Sequence, residues 1–419
     1  MDVSDLTAFL RAQRLASAES GAPLAGIRVL DLASVVAAPF GATLLADYGA
    51  EVIKIERPSV PDAIRFWGVI EERHQPFWLL ASRNKLPITL NLKHADGQRI
   101  FAELVRQADV LIENMRPGKL DRLGFSAAKL WEINKGLIIG RISGYGQSGP
   151  YARKPGFGTL AEAMSGFTHM NAHPGAPPTN PPLALADMIA GTHLALGVVM
   201  ALRSQKRGER GGQELDLSLY EPLFGFMAGD FLMYALSGIA PQPAGNESHY
   251  VCPRNSYQTQ DGKWVVLSAS SQAPFERLMD LVGHPELKDT PGYRNNQERL
   301  QPESRTVLND IIAGWITGRP LGDVLEACEQ AGVTIGPVYG MEDIANDPHV
   351  EARGTLIPVL DPASDTHMPL PRPAIRMSAT PGSVRFPGLP MGAANAVILE
   401  DLLGYTHDQI AGLKSSGVI

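Results

Sequence analysis

The sequence predicts an α/β fold: an open parallel, Rossmann-like sheet in a large domain, followed by a smaller α+β domain. Short apolar runs of strand type recur through the first half of the chain, and segments with helical spacing separate them. Strands that alternate with helices form parallel sheets, because each crossover helix returns the chain to the same edge. A stretch bearing Pro and Gly at 237–245 indicates a linker before the second domain.

The first predicted unit is β-α-β. Residues 27–32 (IRVLDL) and 51–55 (EVIKI) have strand composition, and the apolar spacing over 40–48 predicts the helix between them. The elements expected next are strands at 110–113, 137–143 and 213–217, and helices at 97–107, 187–202 and from about Leu219.

The second half of the chain predicts a smaller domain and a return to the first. We expect a hairpin strand at 264–268, helices at 275–282, 307–315, 397–403 and 407–413, and an extended segment over 356–392. Thr406 is a plausible N-cap for the last helix. The predicted organisation is 1–225 for the first part of the large domain, 226–245 for a linker, 246–345 for the small domain and 346–419 for a return linker with the rest of the large domain.

Composition narrows the class of protein. Hydrophobic residues at 44% and charged residues at 19% are globular values, and a formal net charge of -7 argues against nucleic acid or anionic membranes as partners. Cys252 and Cys328 are too few for a disulfide framework and are expected in the core, which suits a reducing compartment. Residues 1–24 lack the uninterrupted apolar core of a signal peptide and read as a helical extension. The apolar stretch 188–202 is short for a membrane span, so we expect a cytoplasmic protein.

The β-α-β unit invites a dinucleotide-binding interpretation, because Glu56 ends the second strand where a ribose-binding acid would sit. The turn does not suit it. Residues 34–39 read SVVAAP, without the glycines that the tight turn and the approach of a pyrophosphate require. NAD binding is therefore not expected.

Several blocks identify a family. They read GIRVLDLASVVAAPFGATLLADYGAEVIKIERP at 26–58, NKLPITLNLK at 84–93, ADVLIENMRPGKLDRLGF at 108–125, ISGYGQSGPYARKPGFGTLAEAMSG at 142–166 and ILEDLLGYTHDQIAGLKSSGVI at 398–419. In this order they resemble the family III CoA transferases, the CaiB/BaiF group that includes formyl-CoA and carnitine CoA transferases. The resemblance extends over nearly the whole chain.

The resemblance implies a nucleophile. In that family an aspartate precedes a helix of small residues, and the matching stretch is PLALADMIAGTHLALGVVMAL at 182–202, with Asp187 as the aspartate. From the residues alone, Asp187 is an N-cap of an apolar helix. The two interpretations are compatible, since the helix dipole favours an ionised carboxylate at this end.

The implied reaction moves CoA from an acyl-CoA to a free carboxylic acid through an anhydride and a thioester on Asp187. It needs no metal and no permanently bound cofactor, because each step exchanges groups of similar reactivity; CoA is a substrate. The partners implied are acyl-CoA, a small carboxylic acid and a second copy of the chain in an interlocked homodimer. The linkers at 237–245 and 356–381 would thread that dimer.

CoA carries several phosphates, so an acidic protein must supply local basic groups. Each basic residue taken alone is equally well a solvated surface charge. For the oxyanion of the transition state, Gly144, Gly146 and Gly149 are candidates, or simple loop glycines. By resemblance, the CoA-binding residues are Val36, Ala37, Arg57, Lys93, Asn114, Met115, Arg116 and Arg122.

Departures from the family pattern concern the acyl site. Gly158 follows Phe157 at the position of a PGFD-type motif, and Glu162 stands where glutamine is usual. The glycine-rich lid of formyl-CoA transferases is missing, which disfavours formyl and oxalyl substrates. His249, Arg254 and Tyr257 could instead bind a second carboxylate, as in succinate.

Two alternative functions share part of this pattern. An α-methylacyl-CoA racemase resembles the first blocks and would use Asp187, but Phe157 stands where its histidine would be. A non-catalytic CoA-binding subunit would have lost the aspartate, which this chain keeps.

Overall fold

The computed structural model describes residues 3–19, 21–68, 75–208 and 211–419, without the side chains of 3, 4 and 16–19. The chain divides into two compact units. The first contains the chain up to Phe167 together with Pro181–Ala228 and Ala352–Ile419; the second contains Thr168–Asn180 and Gly229–Glu351. The predicted domain boundaries stay a prediction. The division by contacts differs at Thr168–Asn180, which groups with the second unit, where the N–H of Gly245 donates to the carbonyl of Ala172.

The strands are β1 (Arg28–Asp31), β2 (Glu51–Glu56), β3 (Lys85–Thr89), β4 (Val110–Glu113), β5 (Ile138–Ser143), β6 (Glu214–Ser218), β7 (Arg254–Gln258), β8 (Trp264–Ser268), β9 (Ile335–Pro337), β10 (Leu356–Asp361) and β11 (Thr366–Pro371). The α-helices are α1 (Val3–Glu19), α2 (Ala37–Asp47), α3 (Pro76–Ala81), α4 (Ala95–Arg106), α5 (Lys119–Arg122), α6 (Ala127–Ile133), α7 (Gly158–Met164), α8 (Phe167–Met170), α9 (Leu185–Lys206), α10 (Tyr220–Ser237), α11 (Gln272–Val282), α12 (Asn296–Arg299), α13 (Pro302–Thr317), α14 (Leu321–Ala331), α15 (Met341–Asn346), α16 (Pro348–Ala352), α17 (Asn395–Asp401) and α18 (His407–Ser415). Short 3-10 helices lie at Ala63–Phe66 and Pro285–Lys288.

The first unit is built on a six-stranded sheet in the order β3-β2-β1-β4-β5-β6, with every neighbouring pair parallel. The predicted parallel sheet is confirmed. Strand β3 was not predicted, because its KLPIT sequence places a lysine and a proline in what should be a continuous apolar run. Lys85 is nevertheless fully buried, and its ammonium donates to Asp31 on β1 at 2.8 Å.

Alternate residues of the four inner strands, β1, β2, β4 and β5, enter two hydrophobic cores, one on each face of the sheet. Leu30 of β1 packs on the face covered by α4, whereas its neighbour Val29 packs on the face covered by α2 and α9. Burial on both faces explains why these strands are apolar throughout rather than alternating.

Helices α2 and α9 approach closely through two glycines. A Cβ on Gly41 would lie 2.7 Å from the carbonyl oxygen of Gly191, and one on Gly191 would lie 2.3 Å from that of Ala37. Helix α9 has the length and hydropathy of a membrane span, with a mean hydropathy of 1.7 in its most apolar window. Its buried residues pack in the core of the first unit, so its apolar composition has a structural cause.

The second unit contains an antiparallel sheet in the order β7-β8-β9 and a core that includes Phe275 of α11, Leu308 of α13 and Cys328 of α14. Strand β8 coincides with the predicted 264–268. Both cysteines are free and buried, as expected.

The segment after 355 is partly different from the prediction. Leu356–Asp361 and Thr366–Pro371 pair as an antiparallel hairpin, with Pro358 opposite Pro369. A two-stranded ribbon consists of edges alone, so prolines are tolerated there, and their presence concealed the strands in the sequence. Thr406 is the N-cap of α18, as predicted, and forms a reciprocal capping box with Gln409.

Candidate active site

A cavity of about 2350 Å³ lies in the first unit, at the carboxyl ends of the parallel strands. Open α/β sheets bind ligands at this edge, because the strand ends and helix N-termini converge there. Its walls come from the turn before α2, the loop after β4, the end of β5, the segment around α7 and the first turn of α9. The lining residues used below are Ser34, Val36, Ala37, Arg83, Asn114, Met115, Arg116, Lys119, Arg122, Ser143, Gly144, Lys154, Gly156, Phe157, Gly158, Glu162, Asp187, Leu196 and Arg372.

The turn between β1 and α2 is held by polar contacts at both ends. Ser34 N–H donates to the Asn114 side-chain oxygen at 2.9 Å, and the Asn114 amide donates back to the Ser34 carbonyl at 2.7 Å. Val35 adopts a left-handed φ of 67°, and its N–H donates to Asp62 at 2.9 Å. Asn114 therefore lines the cavity as predicted, but its amide holds the turn that carries Val36 and Ala37.

Buried charges fix this turn from below. The ammonium of Lys54 donates to Asp62 at 3.1 Å and to the carbonyl of Ala33, and Lys85 pairs with Asp31. Burial opposes ionisation of Asp31, but the charges of Lys54 and Lys85 prevail and lower its pKa below the ordinary value. The network anchors the floor of the cavity, since leaving any of these buried charges unpaired is strongly unfavourable.

Asp187 lies in the first turn of α9, three residues after the N-cap. The N-cap is Ala184, which makes no side-chain capping bond. The interpretation of Asp187 as an N-cap is therefore wrong. The helix begins three residues earlier than that interpretation requires, because Leu185 and Ala186 already have helical conformation and Ala186 is fully buried.

The carboxylate of Asp187 rests on the backbone of Gly158, the first residue of α7. A Cβ on Gly158 would lie 1.8 Å from Asp187 Oδ2. No other residue type can occupy position 158 while the carboxylate keeps this place. This close approach gives a physical reason for the glycine that departs from the family pattern.

Asp187 sits in an environment that disfavours its charge. Burial, followed by the negative charge of Glu162, raises the pKa of Asp187 to about 6. At neutral pH about nine tenths of the molecules still carry the ionised form. Among the residues that the structure describes, no cation forms an ion pair with it. The result is a carboxylate in the cavity whose charge is not stabilised by a counter-ion among the described residues.

The segment after β5 supplies candidates for binding a developing oxyanion. Gly144 lines the cavity, whereas Gly146 and Gly149 do not; their φ values of 84° and 87° are those of turn glycines. Gly144 and Gly156 pack backbone to backbone, since a Cβ on Gly144 would lie 2.8 Å from the Cα of Gly156.

Ser143 was missed by the sequence analysis. Its hydroxyl is buried, lines the cavity and has no hydrogen-bond partner among the described residues. Its position at the end of a strand, immediately before a cavity glycine in the ISGYG block, is a signal that could have found it.

The structure brings together Val36, Ala37, Asn114, Met115, Arg116 and Arg122 from the predicted CoA-binding set, together with Asp187. Arg57 and Lys93 do not line the cavity; both are exposed to solvent. Four cations that were not predicted also line it: Arg83, Lys119, Lys154 and Arg372. Lys119 lies in the predicted block, whereas Arg372 follows the unpredicted hairpin.

Other residues raised by the sequence have different surroundings. Phe157, in the place of a racemase histidine, lines the cavity with a largely exposed aromatic ring that cannot transfer a proton. In the second unit, Tyr257 donates its hydroxyl to Asn309 at 2.8 Å and is buried, and His249 contacts the carbonyl of Gln242 at 2.6 Å. A carboxylate-binding role for these two and for the exposed Arg254 stays a prediction.

Comparison with known proteins gives one consistent result. The model of CoA-transferase family III matches residues 24–395. The succinyl-CoA–L-malate CoA-transferase beta subunit of Chloroflexus aurantiacus is 39% identical over 402 residues, which cover 95% of this chain and 98% of that protein. The human succinyl-CoA:glutarate CoA-transferase is 31% identical over 398 residues, covering 95% and 90% of the two chains. The crystal structure of a CAIB/BAIF family protein from Brucella suis superimposes with a TM-score of 0.79 at 29% identity, covering 91% and 99%.

Proposed function

This chain belongs to CoA-transferase family III and is a CoA transferase, and from that premise we propose that it works through covalent intermediates on Asp187. The observation that carries the proposal is the position of the Asp187 carboxylate. It is partly buried, lies against Gly158 in a large cavity and has no cationic partner among the described residues. A purely structural acid would be expected to have such a partner.

The first half of the proposed reaction loads CoA onto the enzyme. An Asp187 oxygen attacks the carbonyl carbon of the donor thioester, the C–S bond breaks, and CoA leaves as a thiolate. The product is a mixed anhydride between Asp187 and the donor acid. The thiolate then attacks the Asp187 carbonyl carbon, which releases the donor as a free carboxylate and leaves an Asp187–CoA thioester.

The second half reverses these steps with the acceptor. The acceptor carboxylate attacks the Asp187 thioester, expels the CoA thiolate and forms a second anhydride. Attack of the thiolate on the acceptor carbonyl then yields the new acyl-CoA and regenerates the Asp187 carboxylate. Negative charge builds on a carbonyl oxygen in each step, and we assign its stabilisation to the Gly144 N–H and the Ser143 hydroxyl at the cavity wall.

For the acids we propose dicarboxylates, with succinyl-CoA as donor. Relatives that act on succinyl-CoA with L-malate, D-citramalate and glutarate support this choice. Lys154 and Arg372 line the cavity in addition to the predicted arginines, and such cations are suited to bind the second carboxylate of a dicarboxylic acid.

The test is direct assay of the purified chain. Succinyl-CoA is incubated with L-malate, citramalate, glutarate or acetate, and new acyl-CoA is measured by mass spectrometry. We expect transfer to the dicarboxylates. Preferential transfer to acetate would refute the substrate class, and no transfer to any acid, by a chain shown to be folded, would refute the activity proposed.

Arg122 and Arg57 form a matched pair for CoA binding, because both are exposed arginines but only Arg122 lines the cavity. Arg122→Ala should raise the Kd for CoA about tenfold, the loss of one charge-assisted phosphate contact. Arg57→Ala should have a smaller effect that disappears at about 0.5 M salt, because Arg57 acts on CoA only through a long-range electrostatic field, which salt screens.

Calorimetric titration of CoA into each variant measures both effects. Equal losses at every salt concentration would place Arg57 in direct contact with the ligand, and an unchanged Kd for Arg122→Ala would remove that residue from the site.

We also propose that the protein is a cytoplasmic, interlocked homodimer. Large apolar side chains in the first unit are exposed, with 51% exposure for Leu196, 60% for Met200 and 69% for Phe226. Such clustered apolar exposure is typical of a subunit interface. Light scattering should give twice the chain mass of 45.1 kDa, and tagged and untagged dimers should not exchange chains without unfolding. A monomer would contradict the dimer, and rapid exchange would contradict interlocking.

A further inference from the structure

We propose that Glu162 is a positioning residue for Asp187: it caps the N-terminus of α9 from a neighbouring helix and holds a second negative charge beside the nucleophile. The inference rests on the proposed function of Asp187 and adds a residue that acts through it.

The capping contact is visible in the geometry. Glu162 Oε1 accepts a hydrogen bond from the N–H of Ala186 at 3.2 Å. The first N–H groups of a helix have no partner inside the helix, and Ala184, the residue at the N-cap position, offers no side-chain acceptor. Glu162 is 2% exposed, so this contact is shielded from water. A side chain of α7 thus performs the task that a local N-cap would perform, which leaves the carboxylate of Asp187 free for chemistry.

Glu162 lies one helical turn after Gly158, the residue whose backbone contacts the Asp187 carboxylate. Helix α7 therefore presents both a glycine backbone and an acidic side chain to Asp187. Among the described residues of α7 and α9, Glu162 is the charged side chain whose electrostatic field raises the pKa of Asp187. Burial and this charge together raise the pKa of Asp187 to about 6. Both acids share the positive end of the α9 dipole, which partly offsets their repulsion.

The charge has a mechanistic consequence. Asp187 is negative in the free enzyme but neutral in the anhydride and in the thioester. Repulsion from Glu162 is therefore present before acylation and relieved by it, so Glu162 raises the free energy of the resting nucleophile relative to both covalent forms. It also makes the Asp187 oxygen more basic than an ordinary carboxylate, which favours attack on the thioester.

Substitution by glutamine, the usual residue at this position in the family, separates the capping role of Glu162 from the role of its charge. Glu162→Gln keeps the size of the side chain and an oxygen that accepts from Ala186, but it removes the charge. Glu162→Ala removes both. Glu132→Gln, which removes a charge from a residue with a 66% exposed side chain on α6, is the matched control.

The experiment measures the melting temperature and the single-turnover release of succinate from succinyl-CoA, without acceptor, between about pH 5 and pH 8. We expect Glu162→Gln to melt with wild type at about pH 5 and somewhat above it at about pH 8, where the repulsion of ionised Asp187 is removed. It should also move the acidic limb of the rate profile to lower pH and react several-fold more slowly at its plateau. Glu162→Ala should show the same shift of the limb and melt several degrees lower. Glu132→Gln should match wild type in both measurements.

A Glu162→Gln profile that superimposes on wild type would overturn the charge role. A Glu162→Ala protein that melts with Glu162→Gln would overturn the cap. If wild type itself releases no succinate, it is the proposed function that fails, and the effect of the Glu162 charge is then measured through protein stability. Wild type should become less stable than Asp187→Asn as pH rises through about 6, and the Glu162→Gln change should reduce that loss; an unchanged loss would overturn the inference.

Discussion

Asp187→Asn should lower kcat for CoA transfer on the order of a thousandfold or more while the protein remains folded. The amide is nearly isosteric with the carboxylate, but it cannot form the anhydride or the thioester. In wild type, incubation with an acyl-CoA and no acceptor should place CoA on the peptide that contains Asp187. Mass spectrometry should detect this adduct, hydroxylamine should cleave it, and the variant should lack it.

The same substitution makes a stability prediction with a defined sign. Asp187 has a pKa of about 6 in the folded protein, which is above the ordinary value for an aspartate. Its ionisation therefore costs stability as pH rises from about 4 through about 6. Asparagine escapes that cost, so the variant should be more stable than wild type near pH 8 by about 1–3 kcal/mol, and the difference should vanish below about pH 4.

Two outcomes would contradict this account of Asp187. An adduct that maps to another residue would show that the nucleophile is wrong. A variant less stable than wild type near pH 8 would show that Asp187 holds the helix terminus after all, and denaturation at both pH values measures this.

Gly158→Ala should lower kcat about a hundredfold or more. The new methyl carbon would lie 1.8 Å from Asp187 Oδ2, so the carboxylate must move, and a displacement of about 1 Å in a reacting group costs about this factor. Stability should change little, because alanine favours the helix by up to about 1 kcal/mol over glycine and offsets part of the strain.

Gly314→Ala is the matched control, because Gly314 also lies in a helix and a Cβ there meets nothing within 4 Å. It should retain full activity. Steady-state kinetics and adduct formation on both variants make the comparison. Wild-type activity in Gly158→Ala would mean that the carboxylate does not need its place on the Gly158 backbone.

Local sequence patterns account for most of the sheet. Strands β1, β2, β4 and β5 are apolar runs because both of their faces are buried. A run of consecutive apolar residues can be recognised from the sequence alone. Strand β3 was not predicted, because its buried lysine is compatible with a strand only when it pairs with Asp31, a residue far away in the sequence. The β10–β11 hairpin was not predicted, because prolines usually end a strand, whereas here they face one another across a two-stranded ribbon.

The candidate site residues follow the same rule: those in continuous sequence motifs could be predicted, and those that depend on contacts between distant segments could not. Asp187 and the loops after β1 and β4 follow from continuous motifs, and the structure brings them to one cavity. The cap of α9 was assigned to Asp187 because only neighbouring residues can be weighed from sequence, whereas the acceptor, Glu162, comes from another helix. Arg372 was missed for the same reason, since it reaches the cavity from the segment after the hairpin.

The glycine contact between α2 and α9 has a consequence for redesign of the enzyme. Gly41 and Gly191 each lie one turn beyond a functional helix start, the first beyond the Val36–Ala37 turn and the second beyond Asp187. The close backbone approach at this point sets the spacing between the two helix starts without any contribution from the loops that line the rest of the cavity. We therefore expect that exchange of the segments around Phe157 and Arg372 changes the acids accepted while the Asp187 carboxylate keeps its distance from the Val36–Ala37 turn.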